Sequence, residues 1–111
     1  MWKLFIDDKR VPKNPNEFMV ARSWKSAAKM IRQYGFPSHI AFDYYLDDHG
    51  QTVMPLLDWI HYHQKDYPIP ENFSYSIHSS YSGAKKEIGA ALKSMGNFPM
   101  TGRAQIGSFD Y

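Results

Sequence analysis

The sequence predicts a small doubly wound α/β domain, in which three main helices flank a parallel sheet of about four strands. Short apolar runs typical of buried strands alternate along the chain with longer segments of helical period. Such alternation requires crossover connections, and these are expected to place helices on both faces of the sheet. At 111 residues the chain has room for one hydrophobic core, so a single domain is expected.

Four segments predict the strands. Residues 2–6 and 39–42 are brief apolar runs of the kind found in strands covered on both faces, and residues 18–21 form a weaker candidate. In residues 73–80 large apolar side chains alternate with serines, which indicates a strand with one polar face. This last strand is therefore expected near an edge of the sheet.

Three segments predict amphipathic helices, because their apolar residues recur at spacings of three and four. The first covers residues 23–34, with Ser23 as the N-cap and Gly35 beyond its end. The second covers residues 52–64 and the third residues 82–95. The α/β domain is predicted to comprise residues 1–96, and residues 97–111 are predicted to form a C-terminal tail that packs on it.

Composition excludes several classes of protein. The formal net charge is only +2 and the basic residues are scattered along the chain, so no clear DNA-binding patch is expected. The absence of cysteine excludes disulfides and cysteine-ligated zinc sites. The apolar runs are far too short to span a membrane, and no signal peptide is evident. A cytoplasmic protein without membrane contact is expected.

Acidic and polar residues follow three of the predicted strands. Asp7 and Asp8 come directly after the first strand, Asp43 follows the central one, and residues 78–80 (His-Ser-Ser) follow the last. In doubly wound sheets ligands bind beyond the carboxyl ends of the strands. These residues are therefore predicted to converge on one edge of the sheet.

The three acids are candidate ligands of Mg²⁺ or another divalent cation. Hard cations take carboxylate, carbonyl and water oxygens, and a cation between Asp7, Asp8 and Asp43 would offset their mutual repulsion. The alternative is that Asp7 and Asp8 are exposed loop residues, because Asp is common in turns. The arrival of Asp43 from another strand end favours the metal site.

Four further residues are candidates for phosphate chemistry. His78 can transfer protons near neutral pH, and Arg10 can bind a phosphate with a fork of donors. The hydroxyls of Ser79 and Ser80 can donate to phosphate oxygens. The alternative is that His78 has a structural role and that Arg10 is a solvated surface charge.

The motifs "KLFIDDKRVP", "HIAFDYYLDDHG" and "YSIHSSYSG" together resemble the family of cyclic-phosphate processing receiver domains. The resemblance extends from Lys3 to about Gly96. It implies a receiver-like, flavodoxin-like sheet and a divalent-metal site at Asp7, Asp8 and Asp43. It also implies a role in handling cyclic phosphates on nucleotides or RNA ends.

The chain departs from the family pattern near two of these motifs. Tyr44 and Tyr45 stand where the family tends to carry a histidine and a second acid, and residues 80–82 replace an Asn-Pro. These changes remove a candidate proton carrier and a carboxylate.

Two functions from different classes follow. The first is metal-dependent processing of a cyclic or terminal phosphate on a nucleotide or RNA end, as in a Mg²⁺-dependent phosphoesterase. Its catalytic residues would be Asp43, His78 and Arg10, with Ser79 and Ser80 binding the substrate. The alternative is a degenerate, non-catalytic receiver-like module that binds a protein partner or a nucleotide.

Overall fold

A computed structural model of the chain describes residues 1–102 and 106–109. The strands are β1 (Lys3–Ile6), β2 (Arg10–Pro12), β3 (Met19–Ala21), β4 (His39–Phe42), β5 (Ser74–Ile77) and β6 (Ile106–Phe109), and the helices are α1 (Trp24–Tyr34), α2 (Met54–Tyr62) and α3 (Ala84–Lys93). Four strands form a parallel sheet in the order β3-β1-β4-β5. This sheet and the three helices confirm the predicted fold class.

The second sheet is a short antiparallel pair of β2 and β6. The sequence does not predict β2, because this strand has only three residues and one of them, Pro12, lacks a backbone N–H. Strand β6 lies within the predicted tail, of which residues 103–105 and 110–111 are outside the described residues. The predicted boundary between domain and tail, at residues 96 and 97, stays a prediction.

All three helices pack on one face of the parallel sheet in the part of the chain that the structure describes. Side chains alternate along a strand, so Leu4 and Ile6 join the core to which every helix contributes, whereas Phe5 lies on the other face. The connection from β1 to β3 contains no α-helix, and the right-handed crossover rule places it opposite α1 and α2. The sequence predicts helices on both faces of the sheet. This prediction is wrong, because the helices cover only one face.

The helix ends follow from local sequence. Ser23 is the N-cap of α1 and accepts a hydrogen bond from the backbone N–H of Ser26 at 3.1 Å, as predicted. Gly35 ends the helix with a φ of 83°, a left-handed value that glycine tolerates. No helix among the described residues is long and apolar enough to cross a membrane.

The polar side of β5 pairs with a histidine on β4. The imidazole of His39 lies 2.8 Å from the Ser74 hydroxyl through Nδ1 and 3.1 Å from the Ser76 hydroxyl through Nε2. Strand β5 is at the edge of the sheet, as predicted. Burial, together with the positive charge of Lys3, lowers the pKa of His39 below its usual value of 6.5.

We expect this histidine to make the fold less stable in mild acid. Below pH 6.5 the unfolded chain binds the His39 proton more readily than the folded chain, so the free energy of unfolding falls as the pH decreases. The slope from one proton is at most about 1.4 kcal/mol per pH unit. Urea denaturation at pH 7.5 and 5.5 should show a smaller pH effect in His39→Gln than in the wild type. The exposed His61→Gln is the control, and equal pH effects in the two variants would contradict the assignment.

Candidate functional site

Three buried titratable side chains meet at the carboxyl edge of the parallel sheet. Asp7, Asp43 and His78 follow the neighbouring strands β1, β4 and β5, and each offers one ligand atom within 4.8 Å of the others. Their residues are 1%, 7% and 0% exposed. The chain leaves β1 for β3 on one side and continues to β4 on the other, so the acids lie at the topological switch point.

The Asp7 carboxylate is surrounded by donors from its own loop and from His78. Its Oδ1 accepts hydrogen bonds from the backbone N–H groups of Lys9 and Arg10, at 2.9 and 2.8 Å. Its Oδ2 accepts one from Arg10 Nε at 2.8 Å and lies 3.2 Å from His78 Nε2. Burial alone would raise the pKa of Asp7, but these donors and the charge of Arg10 outweigh it and lower the pKa well below its usual value. Asp7 is therefore ionised at neutral pH.

Asp43 has the opposite electrostatic balance. Its Oδ1 accepts a hydrogen bond from the Tyr44 backbone N–H at 2.8 Å, and its Oδ2 lies 3.5 Å from Arg10 Nη2. Burial raises the pKa of Asp43, and the nearby charge of Asp7 raises it further; Tyr44, His78 and Arg10 offset only part of this effect. An additional cation beside Asp43 would therefore be favourable.

Arg10 contacts all three residues of the buried cluster. Besides contacting both carboxylates, it donates from Nη2 to the backbone carbonyl of His78 at 3.0 Å. A second arginine supports the loop: Arg22 Nη1 donates to the backbone carbonyls of Asp7 at 3.0 Å and Arg10 at 2.6 Å. Sequence reasoning missed Arg22, although it directly follows β3 and thus stands at the same edge of the sheet.

His78 is held inside the protein rather than on the rim. Its ring stacks on Phe5, with ring centroids 4.5 Å apart and an angle of 5° between the planes. Because the residue has no exposed surface, its imidazole faces Asp7 and is out of reach of a ligand at the rim in this conformation. A direct role in proton transfer to a substrate stays a prediction.

The other predicted site residues lie outside the buried cluster. Asp8 is half-buried and is not among the groups with ligand atoms within 4.8 Å of one another; burial and the charge of Asp7 raise its pKa. Ser79 and Ser80 line a neighbouring cavity of about 600 Å³, together with Lys85 and Thr101. The structure thus brings together Asp7, Asp43, His78 and Arg10, and places both serines in a cavity that none of these four residues lines.

Tyr44, which departs from the family pattern, has a structural partner. Its hydroxyl donates to the Glu87 carboxylate on α3 at 2.8 Å, and its ring packs against those of Tyr45 and Tyr81, with centroids 4.9 and 4.6 Å away. Burial and the adjacent Glu87 raise the pKa of Tyr44 to about 12. Tyr44 therefore keeps its proton and ties the loop after β4 to α3.

The donor set fits a divalent cation on the condition that the cation displaces Arg10 from one of the two carboxylates. Asp7 and Asp43 supply the carboxylate oxygens that Mg²⁺ prefers, while the nitrogen of His78 is more usual for transition metals. The guanidinium of Arg10 contacts the same carboxylates, so a cation and Arg10 compete for them. Asp43, whose pKa is raised and whose contact with Arg10 is the longer one, is the more available ligand.

Comparison with known proteins adds one finding. A family model described as a cyclic-phosphate processing receiver domain matches residues 2–94 of the chain. No curated protein and no solved structure matches the chain. The matched range contains the whole parallel sheet, all three helices and the cluster of Asp7, Asp43 and His78.

Proposed function

Since the chain belongs to the family of cyclic-phosphate processing receiver domains, we propose that it processes a cyclic or terminal phosphate on a nucleotide or an RNA end. The observation that carries this proposal is the pair of buried carboxylates, Asp7 and Asp43, at the switch point of the sheet with Arg10 in contact with both. Such a cluster is expensive to bury and is typical of sites that bind charged ligands.

Asp43 and Asp7 are the residues proposed to hold Mg²⁺ or another divalent cation, with Asp8, which lies outside the buried cluster, as an additional ligand. When bound, such a cation polarises a phosphoryl oxygen and lowers the pKa of a water molecule. Asp43 supplies the more available carboxylate, whereas the donors around Asp7 fix that side chain in place. His78 acts through Asp7 in this proposal, as a positioning residue.

Arg10 and the two serines are proposed to bind the phosphate. The Arg10 side chain is 22% exposed, so it is partly accessible to a ligand that approaches the rim. In hydrolysis of a cyclic phosphate, water adds to phosphorus and one ester P–O bond breaks. The water loses a proton, for which Asp43 is the proposed acceptor, and the departing oxygen takes one from solvent, so that a phosphomonoester is formed.

Turnover of a panel of nucleotides tests this proposal. The panel comprises 2′,3′-cyclic, 3′,5′-cyclic and linear nucleotides and a short RNA with a 2′,3′-cyclic phosphate end, each with Mg²⁺ and with EDTA. We expect metal-dependent conversion of at least one cyclic or terminal phosphate, followed by phosphorus NMR. Absence of conversion across the panel with Mg²⁺ and with Mn²⁺ would refute the proposal.

One observation favours the second candidate, a non-catalytic binding module. Protein donors already surround both oxygens of Asp7, and Arg10 already balances part of the acidic charge. A site of this kind is stable without a metal ion. Calorimetric titration with Mg²⁺ separates the two candidates, because the module predicts no binding at millimolar concentrations and the enzyme predicts binding.

A further inference from the structure

A groove between α1 and α2 combines basic and aromatic side chains away from the acidic cluster. It has a volume of about 690 Å³. Its lining includes the basic residues Lys25, Lys29 and Arg32 and the aromatic residues Trp24, Trp59 and Tyr67. No acidic residue in the part of the chain that the structure describes lines it. Its size is that of a typical ligand-binding cleft.

The three basic residues form one stripe along α1. Lys25, Lys29 and Arg32 are spaced by four and three residues, which places them on one side of the helix over about 10 Å. All three are exposed, and none has a carboxylate within 4 Å in residues 1–102 and 106–109. The composition suggested no nucleic-acid patch, but the helical period brings these scattered charges together.

Aromatic side chains, Trp59 and Tyr67, line the other wall of the groove. Trp59 stacks on Tyr67, with ring centroids 5.8 Å apart and an angle of 21° between the planes. Trp24 and both of these residues are half-buried, so each is fixed by packing yet retains accessible surface. Fixed aromatic surfaces beside exposed cations are suited to ligands that carry both bases and phosphates.

The groove continues toward the loop that follows Asp43. A second cavity, of about 270 Å³, shares Trp24 and Lys25 with it and is also lined by Leu46 and Asp47. An extended ligand in the groove can therefore run along α1 toward the carboxyl edge of the sheet.

We propose that the groove between α1 and α2 binds single-stranded nucleic acid, with phosphates on the basic stripe and bases against Trp24, Trp59 and Tyr67. An acidic peptide would match the cations but would leave the aromatic wall unused. A single strand, in which phosphates and flat bases alternate, uses both walls. This inference does not depend on the phosphate chemistry proposed above, because the test below measures binding alone.

Fluorescence anisotropy of a labelled ten-nucleotide single-stranded RNA tests the proposal with the full chain. Each phosphate neutralised on a single strand contributes about −0.7 to the slope of log affinity against log salt, so three contacts predict a slope of about −2. The triple variant Lys25→Ala, Lys29→Ala, Arg32→Ala should weaken binding at least about tenfold and bring the slope near zero. Tyr67→Leu should weaken binding about tenfold and leave the slope unchanged.

A matched triple variant removes the same charge elsewhere. Lys13, Lys86 and Lys93 are exposed and lie outside the groove, so their replacement by alanine should change affinity less than about threefold. Three outcomes would overturn the proposal: no RNA binding at 25 mM salt, equal weakening in the two triple variants, or equal competition by polyglutamate of matched charge. Circular dichroism of each variant verifies that it is folded.

Discussion

Replacing Asp43 with Asn is expected to reduce metal-dependent turnover of a cyclic phosphate by roughly 10²–10⁴-fold, the range for loss of a positioned proton acceptor. The amide can still accept the Tyr44 N–H bond that Asp43 Oδ1 accepts, so the loop keeps its local geometry. It cannot hold a divalent cation as a carboxylate does, and it cannot take a proton from water. The change therefore removes the proposed chemistry and leaves the fold.

The same substitution is expected to stabilise the protein in the absence of metal. The folded-state pKa of Asp43 is raised, which means that its ionised form opposes folding at neutral pH. A neutral isostere removes that cost and is expected to raise the thermal midpoint by a few degrees. The ionisation of Asp43 also makes stability depend on pH. The free energy of unfolding rises as the pH falls through the raised pKa of Asp43, because the folded chain then binds the proton more readily than the unfolded chain.

Two measurements separate the chemical effect from a structural one. Turnover and thermal denaturation are recorded for wild type, Asp43→Asn and Asp58→Asn, where Asp58 is an exposed acid on α2 that serves as the matched control. We expect lost turnover with a higher midpoint only in Asp43→Asn. Full turnover in that variant would contradict the assignment of Asp43, and a midpoint lowered by more than about 5 °C would contradict the electrostatic argument.

The convergence of Asp7, Asp43 and His78 on one edge could be predicted because strand ends leave a signal in the sequence. Each residue follows a short apolar run, and parallel strands bring such positions to one rim regardless of side-chain detail. The edge position of β5 followed in the same way from its alternating serines. Both predictions required only the spacing of apolar residues along the sequence and the topology of the sheet.

The direction of individual side chains could not be predicted in this way. His78 faces inward because Phe5 provides a flat surface beside Asp7, and nothing in either segment alone specifies that pairing. Arg10 contacts both acids because a turn around the Asp7 carboxylate brings its side chain back, which depends on hydrogen bonds formed only in the fold. The placement of all helices on one face likewise depends on the β1–β3 connection, which has no helix.

Replacing Asp7 with Ala is expected to have the largest effect on stability. The change removes an acceptor from two backbone N–H groups and from Arg10 Nε, and it removes the carboxylate oxygen that lies 3.2 Å from His78 Nε2, in a residue that is 1% exposed. Removal of one partner of a buried ion pair typically costs about 3–5 kcal/mol. Because small domains are stable by only about 5–15 kcal/mol, a large part of the total is lost.

A second aspartate isolates the contribution of the buried charges. Asp47 Oδ1 also accepts hydrogen bonds from two backbone N–H groups, those of His49 and Gln51, at 2.8 and 2.9 Å, but these bonds are exposed. Asp47→Ala should therefore cost much less than Asp7→Ala. The difference between the two variants includes what Arg10 and His78 gain from the Asp7 carboxylate, because each aspartate loses two backbone hydrogen bonds.

Urea denaturation at pH 7 measures the free energy of unfolding of both variants. Repetition at pH 3 checks the direction in which the Asp7 contribution changes with pH. The pKa of Asp7 is lowered in the folded chain, so its stabilising effect is complete above the usual value of 3.8 and declines as the pH falls below it. The gap between wild type and Asp7→Ala should therefore be smaller at pH 3 than at pH 7. If Asp7→Ala costs no more than Asp47→Ala at pH 7, the donors around Asp7 do not stabilise the fold. The packing of the sheet, including the stacking of His78 on Phe5, would then hold the cluster in place.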